Sequence, residues 1–246
     1  MRHLVLTDIH ANLEALEAVL ADAGEYEAVL CLGDLVGYGP NPNECVDCVR
    51  ELAELTCLAG NHDWAAIGKL DLSSFNAEAR KAAEWTQAKL RPDVLTYLKG
   101  LPAKLEREGY ALAHGSPRDP IWEYLVVDYQ GPPNFEEFSA PFCLVGHTHV
   151  PRTFVEVRNG DKPQVKVELP EADDEIDLAD GLRRIVNPGG VGQPRNGDPR
   201  AAYGIWDSET GVFTFRRTPY DVEATQRKIH EAGLPGVLAT RLRLGI

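Results

Sequence analysis

The stretch HLVLTDIHANLEALEAVLADAGEYEAVLCLGDLVGYG, residues 3–39, decides the fold class. HLVL (3–6) is a short apolar run of the kind that forms a buried strand. NLEALEAVLADA (12–23) repeats apolar residues at i, i+3 and i+4, the period of a helix. AVLCL (28–32) is strand-like again, NECVDCVRELAEL (43–55) returns to helical spacing, and TCLA (56–59) completes the series. Strand, helix, strand, helix, strand in that order requires parallel strands joined by right-handed crossovers. Residues 76–99 read as helical, with Asn76 as N-cap and Pro92 opening a second segment. From residue 103 the pattern shortens. AKLERE, YALAH, FCLVGH, TFVEVR, QVKVEL, RRIVN, AAYGIWD and VFTFRR read as strands between turn signals such as RNGD (158–161) and DSETG (207–211). Asp221 then caps a closing helix that ends near Gly233. No repeat or low-complexity linker separates the halves. The expected fold is one α/β domain over residues 1–246, with two packed mixed β-sheets forming a β-sandwich flanked by α-helices.

The composition fits this reading. The chain has 246 residues, 43% hydrophobic and 26% charged, the balance of a protein that buries a core. Its 25 basic and 38 acidic side chains give a net charge of −13, which disfavours long duplex nucleic acid and anionic membranes as partners. No run approaches the roughly 20 apolar residues needed to span a bilayer. MRHLVLTDIH leads straight into a strand without a signal peptide's apolar region, so a cytoplasmic enzyme is the expectation. Oligomeric state is not legible. Five scattered cysteines do not make a disulfide framework. Cys45 and Cys48 form a CxxC inside a helix, where they read as small apolar residues.

The histidines are the informative residues. Five of the seven stand just after an apolar run: His10 in LVLTDIHAN, His62 in CLAGNHD, His114 in YALAHGSP, and His147 and His149 in CLVGHTHVP. Asp34 holds the equivalent place in VLCLGDLVGYG. Ligands of open α/β sheets bind at the carboxyl ends of the strands. Asp8, His10, Asp34, Asn61, His62, His114, His147 and His149 are therefore expected on one rim. Imidazoles mixed with carboxylates suit Mn, Fe, Ni, Co or Zn better than Mg or Ca. In Asp8-x-His10 and His147-x-His149, alternate residues of an extended segment would point the same way. The set exceeds the roughly four ligands of a structural zinc and fits two ions about 3.5–4 Å apart that share a carboxylate.

TDIHAN, GDLVGYG, GNHD, AHG and GHTH, in this order between residues 7 and 149, resemble the five signature blocks of the calcineurin-like metallophosphoesterase superfamily. NPGGVGQPRNGDPRAAYGIWD (187–207) is similar to the tail of its small bacterial and archaeal predicted phosphoesterases. The resemblance implies that Asp8, His10 and His149 hold one metal, that Asn61, His114 and His147 hold the other, and that Asp34 bridges them. It implies that His62 contacts the scissile phosphate and assists the leaving group. Ala11 stands where relatives often carry Gly, a difference of one methyl group. The implied reaction is hydrolysis of a small phosphate ester, phosphodiesters foremost, by in-line attack of a hydroxide held between the metals. A phosphomonoesterase or a protein or nucleotide phosphatase would use the same centre. A non-catalytic metal-binding scaffold and a structural-zinc module are the readings from other classes.

Other features divide between function and structure. The Gly- and Pro-rich loop NPGGVGQPRNGDPR (187–200) could bring Asn187, Gly189 and Arg195 to the substrate, or simply reverse the chain. Asn12 could contact substrate but also suits a helix cap. GYGPNPN (37–43) could line the pocket or form a turn. Trp64, Trp85, Trp122 and Trp206 read as packing residues, and His3 and His230 as structural or exposed. EADDEIDLAD (171–180) reads as a solvated loop.

Overall fold

In β1 (Arg2–Leu6), β2 (Ala28–Cys31) and β3 (Leu55–Cys57), successive apolar residues face opposite ways. Leu4, Leu6, Val29 and Cys31 pack with apolar residues of the helices, whereas Val5 and Leu30 meet residues of a second sheet. With both faces covered, such strands read as unbroken apolar runs. β2 runs parallel to both β1 and β3, with α1 (Leu13–Asp22) and α2 (Pro42–Arg50) as the crossovers. The computed structural model describes residues 1–159 and 162–246, so the Gly160–Asp161 half of the RNGD turn lies outside the described residues.

The first sheet continues from β1 through β11 (Ala201–Asp207) and β12 (Val212–Thr218) to β9 (Glu175–Asp177), all antiparallel, in the order β3-β2-β1-β11-β12-β9. The second sheet has the order β4-β5-β6-β10-β7-β8. Its strands are β4 (Lys104–Arg107), β5 (Tyr110–Ala113), β6 (Phe142–Leu144), β7 (Arg152–Asn159), β8 (Lys162–Glu168) and β10 (Arg184–Asn187). β5, β6 and β10 are parallel and the flanking pairs antiparallel. Leu112, Phe142, Leu144 and Val186 of this sheet meet Val5, Leu30, Trp206, Phe213 and Phe215 of the first, which is the sandwich interior. Ala111, Ala113, Cys143 and Ile185 face outward toward Phe135 and Phe138.

Among the described residues six further α-helices follow: α3 (Asn61–Ala66), α4 (Ala77–Lys89), α5 (Pro92–Lys99), α6 (Gly131–Phe135), α7 (Val222–Glu231) and α8 (Gly236–Leu244). Asn76 and Asp221 accept from Ala79 N and Ala224 N as N-caps, and Pro92 opens α5, as their residue types predict. Three expectations need correction. The second helix stops at Arg50, and Glu54 at φ +45° turns the chain into β3. The acidic run 171–180 contains the edge strand β9, because Ile176 and Leu178 alternate with acids and reach the sandwich core while the acids stay exposed. A last helix, α8, follows Pro235 and packs Leu238 and Leu242 with Ile229 of α7 and with Tyr38. Among the described residues no helix is long and apolar enough to cross a membrane.

Phe213 is fully buried between the sheets and lies over Gly204, where a Cβ would stand 2.3 Å from its ring. Phe213→Ala is expected to destabilise the fold by about 3–5 kcal/mol, read as a lowered midpoint of chemical denaturation.

Candidate metal centre

The side chains expected at the strand ends converge. Asp8, His10 and His149 form one group and Asp34, His114 and His147 another, the ligand atoms of each group lying within 4.8 Å of one another. In the first group His149 Nε2 is 3.2 Å from Asp8 Oδ1 and 3.0 Å from His10 Nε2. Asp34 Oδ2 joins the groups, standing 3.6 Å from His10 Nε2 and 3.3 Å from His114 Nε2. Asn61 Oδ1 is 3.2 Å from His114 Nε2.

Each aspartate is divided in function. Asp8 Oδ2 accepts from Thr7 Oγ1 (2.9 Å) and from the backbone of His147 (3.0 Å), and Asp34 Oδ1 accepts from the backbone of His62 (2.8 Å). The other oxygens, Asp8 Oδ1 and Asp34 Oδ2, are buried without a hydrogen-bond donor, as is His147 Nε2. Orphaned buried acceptors are expensive unless something occupies them. The imidazoles are set to match. Nδ1 of His10, His114 and His149 each faces a carbonyl, of Val36 (3.1 Å), Leu32 (2.9 Å) and Gln193 (2.6 Å). A carbonyl can only accept, so each Nδ1 carries a proton, and in the neutral ring the Nε2 lone pair turns inward, the usual outer support of a metal-bound histidine. These residues fit a pair of transition-metal cations.

The backbone reaches this arrangement by a route other than the extended one expected. Asp8, His10, Asp34, His147 and His149 all lie in the left-handed region, at φ between +49° and +66°, as do Ala11 and Tyr38. Left-handed backbone in ordinary residues carries roughly 1–2 kcal/mol of strain each and gathers at functional sites. Ala11 (φ +51°) is where glycine would be easiest, so its methyl is also a conformational matter. Two motif glycines permit close approach. A Cβ on Gly60 would lie 2.1 Å from Asp34 Oδ1, and one on Gly146 2.0 Å from Thr7 Oγ1.

Burial and mutual charge set the protonation states. Burial raises Asp8 and Asp34, but the surrounding histidines outweigh it and hold both well below the usual carboxylate range. Burial pushes His147 down to about 3 and His62 to about 4, and lowers His10 and His149 too, so these imidazoles are neutral donors near pH 7. His114 differs. Burial would lower it, yet the facing Asp34 carboxylate prevails and pushes it up to about 9.

The loop residues serve in unequal ways. Asn12 caps α1, accepting from Ala15 N (3.2 Å) and Thr225 Oγ1 (3.0 Å) and donating to the Gly192 carbonyl (2.8 Å). Its polar atoms are engaged, so it positions loops. Asn187 does the same, donating to the Gly146 carbonyl (2.6 Å) and Thr148 Oγ1 (3.0 Å) and accepting from Gly189 N (2.8 Å). Gly189, at φ +91°, fits tightly against Pro151 and Ala202. Arg195 lies beside the centre, with its backbone N–H on the His149 carbonyl (3.3 Å). His3 stacks on Trp206 at 4.5 Å, and His230 is exposed. The cysteines are free thiols, with Cys45 buried.

Sequence reasoning passed over two features. The last residue of GNHD, Asp63, accepts from the backbones of Asp34 (2.8 Å), Val36 (3.1 Å) and Gly60 (2.9 Å), tying two ligand loops together. Its signal was its place directly after His62. Aromatic rings also border the centre: Tyr38 is 4.3 Å and Phe75 5.2 Å from the His62 ring, Trp122 packs on Phe75 at 5.1 Å, and Tyr124 stacks on His147 at 3.9 Å. Trp122 thus packs, as its residue type was read, and it does so on this border.

A family model for the calcineurin-like phosphoesterase superfamily domain matches residues 1–211. The chain is 44% identical to a metallophosphoesterase of Sphaerobacter thermophilus, whose crystal structure it matches with a TM-score of 0.89 over 100% of this chain and 99% of that one. It is 38% identical to an uncharacterized protein of Methanocaldococcus jannaschii across 98% of this chain and 97% of that protein. A hypothetical protein of Pyrococcus horikoshii, at 21% identity, shares the fold with a TM-score of 0.77 over 100% of this chain and 98% of that one. The chain belongs to the calcineurin-like phosphoesterase superfamily. Its class is metallophosphoesterase, a metal-dependent phosphoric ester hydrolase.

Asp63→Ala strips the acceptor from three buried N–H groups, each worth about 1–3 kcal/mol when orphaned. A loss of at least about 3 kcal/mol in folding stability is expected, measured by thermal or urea denaturation of the metal-free protein.

Proposed function

We propose that the chain hydrolyses small phosphate esters, phosphodiesters foremost, at a centre holding two divalent transition-metal ions. The observation that carries this reading is the position of Asp34 Oδ2, unpartnered and facing both His10 and His114. Asp8, His10 and His149 would hold one cation and Asn61, His114 and His147 the other, with Asp34 common to both. The donor set suits Mn, Fe, Ni, Co or Zn. When bound, such cations supply Lewis acidity to phosphoryl oxygens and lower the pKa of water toward neutrality.

The chain's own residues do the rest. Each aspartate keeps one oxygen fixed by backbone N–H groups, so its free oxygen is presented in one orientation. His62 is neutral, held low by burial and by Arg195 among its neighbours, and its role is hydrogen-bond donation to the ester oxygens rather than delivery of a proton it already carries. The ring packs between Tyr38 and Phe75, and Gly37 leaves room for it, since a Cβ there would stand 2.6 Å from Nδ1. Tyr38, Phe75, Trp122 and Tyr124 offer apolar surface to an organic arm of the substrate. A diester has two such arms and a monoester one, which supports the diester preference.

Metal loading has a proton signature. Below about pH 9 His114 is protonated in the metal-free protein, and only neutral imidazole donates to a metal. Loading at pH 7.5 should therefore release about one proton, visible by calorimetry in buffers of different ionisation heat. No release would contradict the assignment of His114. In the metal-free protein the raised value also means that the His114–Asp34 pair stabilises the fold fully below pH 6.5 and ceases to do so as the pH rises through about 9.

Hydrolysis is tested with bis(p-nitrophenyl) phosphate and p-nitrophenyl phosphate, each with Mn, Ni, Co, Zn and Mg. Turnover with a transition metal, faster on the diester, is expected. Asp34→Asn should lose bound metal together with turnover. His62→Asn should retain metal and lose about 10²–10⁴ in kcat. Zero turnover of both esters in every metal would leave the scaffold reading.

A further inference from the structure

Arg195 is a cation beside the centre without an acid of its own. Its Nη2 donates to Gln193 Oε1 at 3.1 Å, its Nε is buried without a partner, and its Cζ lies 5.8 Å from the Tyr38 ring centre. A second arginine arrives from the opposite end of the chain. Arg241 is half-buried on α8, the helix whose Leu238 and Leu242 line one cavity with His10, Tyr38 and Gln193. Its Nε donates to the backbone oxygen of Ile246 at 2.6 Å. Burial and the nearby Arg195 charge disfavour its charged form, while Tyr38 and Tyr124 are its other electrostatic neighbours. Among the described residues no Asp or Glu carboxylate stands within 4 Å of either guanidinium. Several other arginines of this chain are paired with acids: Arg91 with Asp47 and Asp93, Arg184 with Asp180, Arg200 with Asp198. Two partly buried guanidiniums that repel each other and have no Asp or Glu partner are stabilised by an anion supplied from outside, and phosphate oxygens match their forked donors.

We propose that Arg195 and Arg241, between Tyr38 and Tyr124, form a second anion subsite, so that the preferred substrate is a phosphate ester carrying a further phosphate group. This rests on the hydrolase reading above. The subsite uses α8, which lies beyond the residues 1–211 matched by the family model. One phosphate would face the paired aspartate–histidine groups while the other meets the two arginines.

The test is calorimetric binding of adenosine 3′,5′-bisphosphate and adenosine 5′-monophosphate to the manganese-loaded protein. The wild type should bind the bisphosphate about tenfold more tightly, and Arg241→Ala and Arg195→Ala should each abolish most of that preference. Arg241→Lys, which keeps the charge without the fork, should retain part of it and guards against a fold defect in the alanine variant. A wild type that does not distinguish the two ligands overturns the subsite, as does a preference surviving in both alanine variants. If the wild type fails to turn over bis(p-nitrophenyl) phosphate, the hydrolase reading falls instead, and the binding ratio still decides the subsite.

Discussion

Two carboxylates sealed away from water set the condition on which this structure depends. Asp8 and Asp34 are each 0% exposed, and an isolated buried carboxylate would take up a proton rather than remain charged. Here they stay ionised because histidines surround them and backbone N–H groups hold one oxygen of each. That solution leaves the second oxygens unsatisfied inside the protein, which is tolerable where cations complete the arrangement. The same requirement explains Asp63, whose three amide hydrogen bonds keep the loops of Asp34 and Gly60 in register.

The sandwich supplies the positions. Strands β1, β2 and β3 of one sheet and β5 and β6 of the other end at the same edge, so that loops far apart in sequence meet there. The cross-links between these loops are polar and buried. Asn12 joins α1 to the loop at Gly192 and to α7, and Asn187 joins β10 to the loop of His147 and His149. Both asparagines hold a neighbouring backbone carbonyl and a threonine hydroxyl.

Much of this was legible in the sequence, for physical reasons. A buried strand shows as an apolar run, and a candidate site residue at its carboxyl end shows as a polar residue within two positions after it, so the places of Asp8, Asp34, Asn61, His114 and His147 were legible from spacing. What spacing does not encode is backbone hand. Asp8 and His10 converge through left-handed turns, although an extended segment would also have put them on one side. Strand β9 was hidden because the six acids of the run 171–180 imitate a solvated loop. Asn12 and Asn187 carry the residue type of a substrate contact, and only their partners show them to be ties. Arg241 could not be linked to Arg195 at all, since 46 positions separate them and the helix between is placed by packing on Tyr38.

The left-handed turns bear on whether such a centre can be moved. Five short peptides grafted after the strands of an unrelated sheet would relax toward ordinary backbone, turning their imidazoles and carboxylates apart. What keeps them in place lies outside the peptides themselves: Asn187 and Asn12, the carbonyl of Gln193, and neighbours so close that Gly60 and Gly146 can carry no Cβ. The centre is a property of the assembled scaffold, and its transplantable unit is the whole strand-end edge.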